Sequence, residues 1–117
     1  MSYDISMVCK CCGCTVDVPH FTEGGTHNIN GTTKADLNIT YNYAGFYSQY
    51  IDKEEGIRWI YGKTGEEVRE RLESAISHMR NDVVADYWTP TEGNARLPLE
   101  RLLSWAIEYP NAVFEGD

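Results

Sequence analysis

Four cysteines fall within the six residues Cys9-Lys10-Cys11-Cys12-Gly13-Cys14, and they are all the cysteines in the chain. Cys9 and Cys12 have the spacing of a zinc knuckle. In that motif a tight turn brings two thiolates onto one metal, and the glycine that follows lets the backbone fold beneath it. A tetrahedral site needs four donors, and no second Cys-x-x-Cys is present. Cys11, Cys14, His20, His27 or another chain would have to complete the set. The stretch therefore carries three readings: zinc held by Cys9 and Cys12, a redox disulfide, or an unmetallated hairpin turn. The cofactor expectation is correspondingly none, or zinc. A disulfide framework is disfavoured because nothing in the sequence indicates secretion.

A second group of residues suits a neutral or anionic small ligand. Gly24, Gly25, Thr26 and His27 lie in a Gly-rich stretch, and Asn38, Thr40, Asn42 and Tyr43 follow. Glycine amides, hydroxyls and side-chain amides are donors without fixed charge, and tyrosine rings are flat stacking surfaces. The competing role for the same groups is internal: Asn and Thr satisfy turns and strand ends while tyrosines fill the core. No metalloprotease helix, nucleophile elbow or ordered triad can be read, so no catalytic residue is assigned. An enzymatic alternative would set His20 or His27 beside Asn38, Asn42 and a tyrosine hydroxyl, acting on a nucleotide-like or sugar-like substrate. The segment from Gly56 to Lys63-Thr64 fails as a phosphate loop, because five residues, most of them bulky, separate its glycines.

The elements that must position these groups follow from periodicity. Tyr3, Ile5 and Met7 alternate with polar residues, and Thr15 to Val18 alternate again after the cysteines, which reads as a hairpin ended by Pro19. From Ala35 to Tyr43 a period of two predicts a strand, yet Ile39, Tyr43, Phe46, Tyr47, Tyr50 and Ile51 trace a helical face. A short strand running into a helix at about Tyr41 to Ile51 reconciles the two. Thr64 and Glu67 form a capping box that starts a helix with Val68, Leu72, Ala75, Ile76 and Met79 on its core face. Glu67 and Arg71 stand in the favourable order for an ion pair on its solvent side. Asn81-Asp82 ends this helix, and Val83 to Trp88 forms a short amphipathic connector. A last helix begins between Thr91 and Asn94, with Pro98 near its first turn and Leu99, Leu102, Leu103, Ala106 and Ile107 inward. Ala112-Val113-Phe114 adds a final strand or tail. The fold expected is α+β: an N-terminal β-hairpin or small antiparallel sheet packed on two to three helices.

The chain has 117 residues, 42% of them apolar and 12% aromatic, with a net charge of −8. This suits a single domain over residues 1–117 with its own core and argues against disorder. An acidic chain is repelled by nucleic acid and by anionic membrane, so neither is an expected direct partner. No stretch is apolar enough to span a bilayer, and the expected location is the cytoplasm.

Several blocks carry a resemblance. Gly24-Gly25-Thr26, Asn30-Gly31-Thr32, Leu37-Asn38-Ile39-Thr40-Tyr41-Asn42-Tyr43, Gly56-Ile57-Arg58, Ile60-Tyr61-Gly62, Thr64-Gly65, Tyr87-Trp88, Thr91-Glu92-Gly93-Asn94-Ala95 and Gly116-Asp117 resemble a family of small uncharacterised proteins encoded by tailed phages, prophages and their bacterial hosts. That family commonly has Gly-Gly-Thr where Asn30-Gly31-Thr32 stands here, and its N-terminal turn usually lacks cysteine. The resemblance implies a phage or mobile-element context and no particular activity. The function expected is an accessory binding protein of phage origin, such as a counter-defence factor, that sequesters a small ligand or inhibits a host protein. The alternatives are the small enzyme described above and a zinc-stabilised interaction module.

Overall fold

The computed structural model describes residues 2–18, 34–86 and 88–117. Strand β1 (Ser2–Val8) lies at the centre of a three-stranded antiparallel sheet, between β2 (Asp36–Thr40) and β3 (Val113–Gly116). The expected alternation holds: Tyr3, Ile5 and Met7 face the core. Tyr3 lies opposite Ile39 and Ile5 opposite Leu37 on one side, and Met7 lies opposite Phe114 on the other. The second arm of the predicted hairpin is thinner than a strand. It touches its neighbours through bridges at Val8/Thr15 and Asp17/Lys34, and the Val16 amide donates to the Met7 carbonyl.

The overlap of two periods around Ile39 is a real junction. Thr40 turns its hydroxyl back to accept the Asn42 amide, which closes β2 and opens a 3₁₀ turn (Tyr41–Tyr43) leading into helix α1 (Ala44–Tyr50). Leu37 and Ile39 from the strand and Tyr43 and Tyr47 from the helical part all reach the same core. A second 3₁₀ segment (Gly56–Ile60) then buries Ile57 and Ile60; Gly56 enters it at φ 60°, a conformation that favours glycine.

Helix α2 (Gly65–His78) starts with both bonds of the capping box: Thr64 accepts the Glu67 amide and Glu67 accepts the Thr64 amide. The helix ends at His78, a turn earlier than Asn81-Asp82 suggested. Glu67 is thereby engaged at the cap, so the expected Glu67/Arg71 pair does not form. Arg71 turns to Asp52, to the Ile51 carbonyl and to the face of Trp59, tying α2 to the segment after α1.

Helix α3 (Glu92–Glu108) buries Ala95, Leu99, Leu102, Trp105 and Ala106. Ile107, expected inward, is exposed and Trp105 takes the core position, because the stripe through residues 95, 99, 102 and 106 continues onto 105 and leaves 107 on the flank. Pro98 sits at the seventh helical residue, in the second turn. The helices pack closely where α2 begins: a Cβ on Gly65 would lie 2.7 Å from the Ala106 carbonyl oxygen. Among the described residues no helix is long and apolar enough to cross a membrane.

Candidate functional site

Between α2 and α3 the chain runs through residues 80–91, and those described between Asn81 and Pro90 are exposed with no regular secondary structure. Irregular as it is, this loop is heavily bonded. Asn94, only 2% exposed, accepts the Val84 amide at 3.0 Å through its oxygen and donates to the Asp86 and Thr89 carbonyls, each at 3.1 Å, through its nitrogen. Glu92 accepts the Arg80 amide, and Asp82 accepts the Gly93 amide at 2.9 Å. Asp86 accepts the Trp88 amide and the Thr89 hydroxyl. From across the molecule, Asn42 donates to the Trp88 carbonyl at 2.8 Å.

The Thr91-Glu92-Gly93-Asn94-Ala95 block is thus a clamp. Thr91 caps α3 by accepting the Asn94 amide, Glu92 holds the loop entrance, and Asn94 holds its interior. At Gly93 a Cβ would stand 2.5 Å from the Val83 nitrogen, so the loop backbone lies directly on the helix start. Ala95 is buried, and its carbonyl accepts the Tyr47 hydroxyl. What this loop holds outward is apolar: Val83 is 52% exposed, Val84 40% and Trp88 54%, with Asp82 and Asp86 among them.

The residues singled out from sequence are distributed otherwise than a single ligand patch would need. Gly24, Gly25, Thr26 and His27, with His20, lie outside the described residues. Thr40 is buried as the cap of the 3₁₀ turn, and Tyr43 is buried in the core. They face inward because β2 ends at Thr40 and the helical turn that follows rotates Tyr43 onto the core face. Asn38 donates to Ser2 Oγ at 2.6 Å and to an Asp4 carboxylate oxygen at 2.7 Å, bridging β2 to β1. Asn42 reaches the clamped loop through its bond to the Trp88 carbonyl.

Around Tyr3 and Asp4, near the start of β1, a second set of residues explains other blocks. Arg58 lies over the rings of Tyr3 and Tyr41, 5.0 and 5.5 Å from their centroids, donates to the Tyr41 hydroxyl, and reaches the Asp117 carbonyl. Asp117 accepts the Asp4 amide. Gly116 is packed against the Tyr61 ring so tightly that a Cβ there would overlap it. Burial of Tyr61 pushes its hydroxyl well above the usual phenol range. These contacts join β1, the 3₁₀ segments and β3.

In the cysteine turn, the Gly13 amide bonds to the Cys9 carbonyl and the Cys9 amide to the Cys14 carbonyl, both at 2.8 Å, with Gly13 at φ 73°. All four thiols are free. The Cys12 and Cys11 amides, aimed at the Cys9 sulfur, hold its thiol below the usual range. Beside the turn a cavity of about 380 Å³ opens between Cys9, Lys10 and Val16 and the segment Tyr109 to Ala112.

The molecule is a small α+β protein in which three of the four exposed large hydrophobic residues among those described, Val83, Val84 and Trp88, sit on a clamped loop, the fourth being Ile107 on α3. Comparison with protein-family profiles, with curated proteins and with solved structures yields no match.

Proposed function

We propose that this chain is a non-enzymatic accessory binding protein, phage-encoded and working in the host cytoplasm, that recognises a host protein through the loop between α2 and α3. The observation that carries the reading is the use of Asn94. A nearly buried asparagine with three bonds to loop backbone fixes a segment whose described residues from Asn81 to Pro90 are all exposed. A loop ordered before it meets its partner loses little entropy on binding, and an exposed tryptophan with two exposed valines in the same loop is the composition of an interface anchor. Protein recognition is favoured over sequestration of a small molecule by the inward placement of Thr40 and Tyr43 and by the bonds that occupy Asn38. Net charge of −8 favours a partner with a basic surface.

The test is affinity capture from a bacterial host lysate, comparing wild type with Trp88→Ala and Val84→Ser variants of unchanged melting temperature. A protein retained by wild type and lost from both variants is the expected result. Equal retention by all three would remove the loop from the account.

A further inference from the structure

We propose that the cavity between the cysteine turn and the end of α3 is a binding site for a small, uncharged, mainly apolar molecule. It is separate from the clamped loop. That loop enters α3 at Glu92, whereas the cavity opens beside Glu108, where the helix ends, about 24 Å further along its axis. The volume of about 380 Å³ is that of a small-molecule site. Its apolar walls are continuous with the core: Val16 and Tyr109 pack against the core and Ala112 is buried in it, with Pro110 between them on the same side.

The main chain around the cavity is already bonded. The Val16 amide donates to the Met7 carbonyl and the Val16 carbonyl accepts the Ala35 amide. The Ala112 amide donates to the Tyr109 carbonyl, and the Pro110 and Ala112 carbonyls accept the Glu66 and Gly65 amides at the start of α2. The Tyr109 hydroxyl donates to the Asp17 carbonyl. Two consequences follow. The walls are held in place before a guest arrives, so little ordering is lost on binding. Since these groups are spent on the fold, a guest is held by apolar contact rather than by bonds to the main chain.

Charge decides the class of guest. One cation, Lys10, and one anion, Glu108, line the cavity, and their fields oppose each other. Neither an acid nor an amine gains a net advantage there, and either would give up hydration against walls of Val16, Tyr109, Pro110 and Ala112. Cys9 and Cys11 complete the rim with free thiols, which are soft and weakly polar. A neutral molecule meets no such cost.

The experiment is a titration of the reduced, ¹⁵N-labelled full chain with N-phenyl-1-naphthylamine, a neutral three-ring fluorophore that brightens on leaving water, followed by fluorescence and by amide NMR. The expected result is saturable brightening, with amide shifts concentrated at Cys9, Lys10, Val16, Asn111 and Ala112. The sulfonate-bearing analogue of the probe should bind no more tightly. Val16→Trp, which fills the cavity from its floor, should weaken binding by about tenfold or more, whereas Arg69→Ala, exposed on α2, should bind as wild type does. The wild-type shift map tests the site whatever Val16→Trp does to folding. Absence of saturable binding, shifts centred on residues 83–88, or preference for the sulfonate overturns the proposal. So do shifts at the cavity amides that follow protein concentration without probe, since they give the cavity to a second copy of the chain.

Discussion

The Asn94 side-chain oxygen accepts the amide of Val84 at 3.0 Å across ten residues of chain, while the Val84 side chain itself faces solvent. Backbone is held and side chain is offered. That division makes the loop between α2 and α3 a surface rather than a simple connection, and it sets the first prediction. Asn94→Ala leaves three loop groups without their partner, and the change should cost about 1–3 kcal/mol. Thermal unfolding measures the loss, and amide hydrogen exchange should show Val84 losing protection more than residues in the middle of α2.

Glycine substitutions separate close approach from ordinary helix propensity. Gly93→Ala drives a methyl group into the Asp82–Val83 backbone and should destabilise by about 1–3 kcal/mol. Gly45→Ala, in α1 with nothing near the added Cβ, should instead stabilise by about 0.5–1 kcal/mol. Denaturant midpoints of the two variants should move in opposite directions from wild type.

Two tyrosine hydroxyls make a second contrast. Tyr47 donates to the Ala95 carbonyl at 2.9 Å inside the core, so Tyr47→Phe should cost about 1 kcal/mol. The Tyr61 hydroxyl is buried with no partner among the described residues. Tyr61→Phe should be neutral or stabilising, as read from urea unfolding.

Two carboxylates should give opposite pH dependences. Bonds from the Thr64 amide and hydroxyl hold Glu67 below its ordinary range, so its contribution is present above the unfolded value of about 4.3 and fades as pH falls through the lower folded value. Glu67→Gln should therefore destabilise at neutral pH and match wild type in acid. Asp36 is raised, first by burial and then by the charge of Asp4. Its ionised form is penalised in the folded chain, so Asp36→Asn should stabilise at neutral pH, and the gain should vanish below about pH 3.9. Unfolding free energies measured from pH 3 to 8 test both signs.

Local patterns carried much of the fold. The alternation of Tyr3, Ile5 and Met7, the Thr64/Glu67 capping box and the overlap of periods at Ile39 each describe structure that is settled within a few residues of chain. Arg58 was not legible in this way. Its position over Tyr3 and Tyr41 depends on β1 and two 3₁₀ segments meeting in space. The inward turn of Tyr43 and the departure of Arg71 from Glu67 have the same origin, since a neighbour distant in sequence decides each. For the candidate site, the Thr91 to Ala95 block was legible only as a helix start and as one of the blocks that carry the resemblance. The sequence offered no sign that Asn94 would reach back to Val84, because a helix-start asparagine can equally well serve its own helix.

The central claim is that Trp88 anchors a protein partner from a loop ordered in advance. Once a partner has been captured, its dissociation constant should be measured by calorimetry for wild type, Trp88→Ala and the remote surface variant Arg69→Ala. Weakening by more than tenfold in Trp88→Ala, at unchanged melting temperature and with Arg69→Ala like wild type, is the predicted result. Wild-type affinity in Trp88→Ala would contradict it.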